Sequence, residues 1–325
     1  MNIIINQAIL HIIDTSISTP VLSDNLLPED GTVRGFLKDH IGNSFKSDNI
    51  KLCKFLENSR FFDILEGSNG DFIAFSKQIA KEFFSVMQKN ADISNADLIV
   101  ADVTIDETSY IGVFKLNYKT SFIHLYTQEE GQNCNSIINQ RTVLPSSGSK
   151  IDEFFFINTE TSDISLAEKK YEINGVKKFY ISKQILECTQ DKSEKTKFNE
   201  VKKIAEKALK THYTDDKMID AAVSTMLVEE TSESNMLEVE KLKERMEKVF
   251  PLAKETFSQQ IEEKQMADQK IYVAESSAKR LEKQSIRTKN GVVINIPLNL
   301  MNDNNVEFIK NPDGSVSILI KNVYM

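Results

Sequence analysis

Few residues in this chain have both the type and the spacing that carry chemistry, and the clearest are three lysines. In "FNEVKKIAEKALKTHY", Lys203, Lys207 and Lys210 recur about one helical turn apart on what would be the outer face of a helix. A basic stripe of this kind can follow the phosphates of a nucleic acid. Glu200 and Glu206 stand three and four positions from two of these lysines and would pair with them, so the same pattern also describes a solvated helix face. No aromatic residue that could stack an unpaired base is interleaved with the lysines.

His11, inside "INQAILHIID", is the next candidate. Strand alternation puts Ile5, Gln7, Ile9, His11 and Ile13 on one face and Asn6, Ala8, Leu10 and Ile12 on the other, so both faces are largely apolar and the strand is covered on both sides. A metal-binding or catalytic histidine needs carboxylate, Cys or His partners. Asp14 falls on the opposite face and the next histidine is His40, which makes His11 a hydrogen-bonded core residue. Cys53, Cys134 and Cys188 are scattered, odd in number and without metal-ligand spacing, as expected of reduced thiols in a cytoplasm. "SSGSK" at 146–150 resembles the tail of a phosphate loop, but it lacks the earlier glycine and the Ser or Thr after Lys150, and reads as a polar loop. No GxGxxG, GxSxG or HExxH occurs, "DNNVE" near 303 lacks the glycine of a calcium loop, and no carboxylate pair is set in apolar surroundings. No catalytic residue, metal or cofactor is expected. The alternative to a binding protein is a soluble enzyme acting on nucleic acid or a nucleotide without a recognisable motif.

Composition supports a folded protein of two parts. The 325 residues exceed a usual single core, at about 150 residues per domain. With 40% hydrophobic and 27% charged residues the chain should be globular. "MNIIINQAILHII" has no basic leader and carries polar residues in its apolar run, unlike a signal peptide, and no apolar segment approaches the ~18 residues of a membrane span. A cytoplasmic location is expected, without membrane contact. The net charge is −8, opposite to the footprint of a protein that wraps nucleic acid by itself. Of the 40 basic residues six are arginine, the side chain favoured in base-edge readout.

These residues must be positioned by an α+β fold: an antiparallel-strand-rich N-terminal domain with helices over 1–190, then a helical region ending in β-hairpins over 191–325. After the first strand, "TPVLSDNLL" reads as a strand and "PEDGTVRGFLKDHIGNSF" as a helix. Ser68 with Asp71 would cap a helix whose core stripe is Phe72, Phe75, Ile79, Phe83 and Met87. From Asp97 the period changes to two through "LIVADVTID", "SYIGVFKLNY", "SFIHLYT", "DEFFFIN" and "KKFYISKQIL", with connections too short for crossover helices. Lys115, Asn117 and Lys119 alternate there with Phe114, Leu116 and Tyr118. Helices follow around 192–213, 215–229, 235–250 and 252–269. Thr214 would cap the second, Asn235 with Glu238 the third, and Pro251 suits the first turn of the fourth. Val239, Leu242, Met246 and Val249 have coiled-coil spacing over about two heptads, which fits packing within the chain or the seam of a homodimer. Hairpin turns are expected at Asn290-Gly291 and Pro312-Asp313-Gly314.

Taken in order, "INQAILHIID", "GDFIAFSKQIAKEFF" at 70–84, "NGVVINIPLNL" and "VEFIKNPDGSVSILIKN" resemble the bacterial nucleoid-associated protein family, the NdpA or YejK family, over nearly the whole chain. In that family the opening "INQ…LH" recurs, so His11 belongs to its pattern without a catalytic role. The resemblance implies association with the bacterial nucleoid and brings no catalytic residue or cofactor. The partner is then nucleoid DNA, reached directly through a patch such as Lys203, Lys207 and Lys210, or through a DNA-bound protein. Like-charge repulsion favours the second route.

Overall fold

The computed structural model describes all residues except 69, 130, 214–215, 233, 288–290, 302–303, 313–314 and 323–325. The capping role expected of Thr214 and the two hairpin turns therefore fall wholly or partly outside the described residues. The chain divides into two compact units, Met1–Ser193 and Glu194–Met325. Among the described residues all strand pairs are antiparallel, and the fold is mixed α+β.

The first unit runs β1 (Ile3–Ile13), α1 (Gly31–Phe45), β2 (Lys51–Cys53), α2 (Arg60–Gly67), α3 (Phe72–Gln88), β3 (Ala96–Ile105), β4 (Thr108–Asn117), β5 (Lys119–Glu129), β6 (Gln132–Val143), β7 (Glu153–Asn158), β8 (Ile164–Ala167), β9 (Tyr171–Ile173) and β10 (Val176–Lys178), and then a π-helical turn, Ile181–Ile185. Six strands form one sheet in the order β1-β3-β4-β7-β8-β2. Both of its faces are covered. Period-two alternation sends Phe154 and Phe156 of β7 into a core with Leu37 and Ile41 of α1, and Phe155 and Ile157 into a core with Phe61 of α2 and Phe75, Ile79 and Phe83 of α3. The stripe on α3 is core throughout.

The faces of β1 differ from simple alternation. A bulge between Ile5 and Gln7 inserts Asn6, so Ile5 packs with Ala8 on the α1 side while Ile9 and Ile13 pack on the α3 side. "TPVLSDNLL" is not a strand. It meets β1 at the Ile12–Val21 bridge and through the Ser23 and Leu27 N–H groups, which donate to His11 Nδ1 and the Ala8 carbonyl, but no ladder forms, because Pro20 has no N–H to give and the Ser23 side chain takes up the backbone of Asn25. α3 is capped by Asp71, whose carboxylate accepts from the Ala74 N–H at 2.9 Å; Ser68 instead donates to the Leu65 carbonyl and closes α2. "KKFYISKQIL" supplies the short β10 and then the π-helical turn. Its apolar residues Tyr180, Ile181, Ile185 and Leu186 are buried at a helical period, which a short apolar run does not distinguish from a strand.

The second unit comprises α4 (Glu194–His212), α5 (Asp216–Thr231), β11 (Met236–Glu238), α6 (Val239–Val249), α7 (Lys254–Glu263), β12 (Lys270–Tyr272), α8 (Glu275–Leu281) and two hairpins, β13 (Lys283–Arg287) with β14 (Val293–Pro297) and β15 (Val306–Lys310) with β16 (Val316–Ile320). The third helix starts at Val239, not at 235. Asn235 has a positive φ of 53°, and its carbonyl accepts from Val273 as β11 pairs with β12, so strand pairing displaces the cap expected there. Pro251 opens a 3₁₀ turn, Pro251–Ala253, that leads into α7, which ends at Glu263.

Candidate nucleic-acid interface

α4 places the lysine stripe. Its apolar residues Phe198, Val201, Ile204, Ala205, Ala208 and Leu209 are buried in the core of the second unit, and this turns Lys203, Lys207 and Lys210 outward, all exposed. The helix carries six lysines against three glutamates, and Lys210 and His212 lie in its last turn, where they complement the partial negative charge of the carbonyl end.

One ion pair keeps helical spacing but takes a lysine outside the stripe, and another comes from the next helix. Glu206 reaches Lys202, at 3.8 Å, and that lysine also donates to Ser224 at 3.5 Å. Burial, opposed by Lys202, holds the Glu206 carboxyl above the usual carboxylate range. Lys210 Nζ lies 3.6 Å from Asp220 Oδ1 on α5. Asp220 is a member of this surface that helical spacing along α4 had no means of finding, because it comes from the next helix.

The α6 positions are placed differently from one another. Val239, Leu242 and Met246 are buried in the core with Phe257 and Ile261 of α7, while Val249 is 53% exposed. Three of the four residues at coiled-coil spacing are thus covered within the chain. Beside them α5, β11 and α6 border an open depression of about 600 Å³, with Glu229, Glu230, Glu238, Glu244, Lys241 and Arg245 among its lining. Arg245 bridges Glu229 and Glu230 across it, which ties α6 to α5.

In the first unit the titratable groups are closed in. His11 is fully buried; the Ser23 N–H donates to Nδ1 at 3.1 Å and Nε2 lies 3.0 Å from Ser76 Oγ on α3. Since Nδ1 accepts, the ring proton is on Nε2, which donates to Ser76 Oγ; that hydroxyl donates onward to the Ile73 carbonyl at 2.8 Å. Burial, with Lys77 nearby, lowers the His11 pKa to about 4, so the ring is neutral at pH 7. Lys115, alternating with apolar residues on a strand covered on both faces, is buried against Glu153 at 3.3 Å, and not on a polar face. Tyr171 and Tyr180 donate to the Glu153 carboxylate at 2.6 and 2.7 Å, and Asn117 donates at 2.9 Å. Burial opposes ionisation of Glu153, but Lys115 and these three donors outweigh it and hold the carboxyl below its ordinary range. Burial pushes the Lys115 ammonium down, with Glu153 opposing.

Lys51 and Glu168 form a second enclosed pair at 2.9 Å, with the ammonium over the Phe179 ring. The fold also brings Cys53 and Cys188 together as neighbouring buried thiols, a proximity invisible in their separation along the chain. "SSGSK" is a polar loop: Ser146 and Ser149 bond through their hydroxyls at 2.9 Å, and Lys119 donates to Ser149 at 3.3 Å. Among the described residues no group of three or more His, Cys, Asp or Glu is placed to hold a metal ion, and no helix is long and apolar enough to cross a membrane.

No curated protein matches the sequence. A family model described as nucleoid-associated protein YejK matches residues 9–325, from the buried end of β1 through both units and into the C-terminal hairpins. With nearly the whole chain matched, this protein belongs to the nucleoid-associated protein YejK family.

Proposed function

We propose that the protein reaches the bacterial nucleoid through a DNA-bound protein partner, and that direct phosphate contact through α4 is secondary. Charge carries this reading. A chain of net charge −8 is repelled by a duplex, and one of the three lysines in its best basic stripe is held beside Asp220. Lys203 and Lys207 project to solvent, but two phosphate contacts supply little of the counterion release on which non-specific affinity rests.

The test combines two measurements. Purified full-length protein is titrated with naked duplex over a series of salt concentrations, as wild type and as Lys203→Glu/Lys207→Glu/Lys210→Glu. Co-sedimentation with nucleoids is then followed for both, with and without nuclease. Weak duplex binding at physiological salt, co-sedimentation nearly unchanged by the triple substitution, and a protein contact that survives nuclease are expected. Tight duplex binding that falls steeply with salt and is abolished by the triple substitution would replace recruitment by direct contact, with a loss of roughly three units of the per-phosphate salt slope.

A further inference from the structure

A short antiparallel pairing just past β2 brings Cys53 and Cys188 together. The Leu56 N–H donates to the Glu187 carbonyl at 2.9 Å and the Thr189 N–H to the Lys54 carbonyl at 2.8 Å, so Phe55 and Cys188 face each other as the close, non-hydrogen-bonded kind of pair. Side chains two apart on a strand share a face, which sets Cys53 diagonally beside Cys188. Both thiols are buried, 3% and 4% exposed, under a thin cover: Leu52 and Lys54 flank one in the chain, Thr189 and Gln190 follow the other, and all four are exposed.

The position of Cys188 is fixed from several directions. It follows the π-helical turn Ile181–Ile185, and Glu187 before it has a φ of 47°, a left-handed conformation costly for a residue other than glycine. Arg60 holds Glu187, its backbone N–H donating to Oε2 at 2.8 Å and its Nε to Oε1 at 3.0 Å, and the Cys188 N–H donates to the Ser182 carbonyl at 3.0 Å. Backbone strained in this way persists only where its surroundings fix it, and it gathers at functional positions. The two thiols are also unequal. Cys188, with the Asp191 backbone and the Lys51 ammonium, holds the Cys53 thiol below its ordinary range against burial, whereas Cys53 and burial push Cys188 up. Cys53 is therefore the sulfur suited to attack and Cys188 the one suited to resolve.

We propose that Cys53 and Cys188 are a redox-active dithiol that a hydroperoxide oxidises to a disulfide, bonding the last residues of the first unit to β2. The Cys53 thiolate attacks one peroxide oxygen and the O–O bond breaks. The leaving hydroxide takes up the proton that Cys53 released, giving water and a Cys53 sulfenic acid. The Cys188 sulfur then attacks the Cys53 sulfur, the S–O bond breaks, and the Cys188 proton leaves with the hydroxyl as a second water. The two thiols lose two electrons, and hydrogen peroxide, taking them up, becomes two waters. The diagonal of a strand pair spans about 7–8 Å between Cα atoms, at or beyond the limit of about 7 Å for a disulfide, so the bond draws the two segments together and is strained. A strained disulfide is readily reduced, and an external dithiol returns the pair to thiols. The modification is independent of how the protein reaches the nucleoid.

Mass spectrometry on the full chain in a Cys134→Ser background tests it, since Cys134 on β6 is the third cysteine and its removal excludes other pairings. After hydrogen peroxide treatment and alkylation in denaturant, the chain is expected to be lighter by two hydrogens with neither thiol alkylated. A proteolytic digest should contain a linked Cys53–Cys188 peptide that dithiothreitol separates. With Cys188→Ser added, dimedone should trap a sulfenic acid at Cys53; with Cys53→Ser instead, Cys188 should give less than about a tenth as much adduct. The linked peptide is read without either of these serine variants. Two alkylated thiols after peroxide overturn the proposal, as does sulfinic acid without a linked peptide, a linkage found only between chains, or an adduct that favours Cys188.

Discussion

Replacing His11 by Gln is expected to destabilise the first unit by about 1–3 kcal/mol at pH 7, the range for a buried donor left without its acceptor, and by far less at pH 5. The glutamine amide keeps a donor for Ser76 but cannot also supply an acceptor in the place of Nδ1, so the Ser23 N–H loses its partner. The pH dependence follows from the buried neutral ring. Its folded pKa of about 4 lies below the ordinary 6.5, so between these values the unfolded chain binds the proton and the folded chain does not. The contribution is complete above about pH 6.5 and is lost as the pH falls toward 4. Over the whole window it amounts to about 3 kcal/mol, of which about 2 kcal/mol is lost between pH 7 and pH 5. Protonation also sets an Nδ1–H against the Ser23 N–H, donor facing donor.

Urea unfolding of both proteins at pH 7 and pH 5, followed by tyrosine fluorescence, measures the difference. The chain has no tryptophan, and five of its eight tyrosines (110, 118, 126, 171 and 180) lie in the first unit, so the signal reports mainly on it. Other groups that titrate in this window, His40 among them, are common to both proteins and cancel in the comparison. A stability gap that stays the same at the two pH values would refute the neutral, bonded ring. Loss of nucleoid association with stability intact would give His11 a functional role instead.

Substitutions at two further places test the cores. Lys115→Met and Glu153→Gln are each expected to lower stability by about 3–5 kcal/mol by stranding a buried charge, with the double substitution losing clearly less than the sum; additive losses in the double-mutant cycle would mean that the pair is not coupled. Leu242→Ala should lower stability by about 2–5 kcal/mol while Val249→Ala stays within about 0.5 kcal/mol. Sedimentation should be unchanged by Val249→Lys, and dissociation of a dimer by that substitution would make α6 its seam.

The periodic elements were legible where the pattern and the environment agree. Phe72, Phe75, Ile79, Phe83 and Met87 hold one helical face, and that face is the core. "DEFFFIN" reads as a strand and is one, and it was the two apolar faces of "INQAILHIID" that announced a sheet covered on both sides. The elements misread are those decided by something outside the local window. The bulge at Asn6 is set by pairing with β3, and Asn235 serves the β11–β12 pair, whose partner strand begins at Lys270. The π-helical turn after β10 answers to the burial of Tyr180 and Leu186. Tertiary pairing overrode local preference in each case.

The same limit governs the candidate surface. Spacing along α4 does show that Lys203, Lys207 and Lys210 share a face opposite Phe198, Val201, Ala205 and Leu209, because both follow from the helical period alone. It does not show which acid each lysine meets. Spacing offers Glu206 to Lys203 and Lys210, whereas the carboxylate turns to Lys202 and Lys210 takes Asp220 from the neighbouring helix. Lys115 is the stronger instance, since alternation sets it with Asn117 and Lys119 while its partner Glu153 lies across the β4–β7 pair. A charge at a helical or strand period therefore reports the face it stands on, and its availability to a phosphate is fixed by residues that arrive only with the fold. For α4 those residues take Lys210 out of the stripe, and the surface left to a duplex is smaller than the sequence promises.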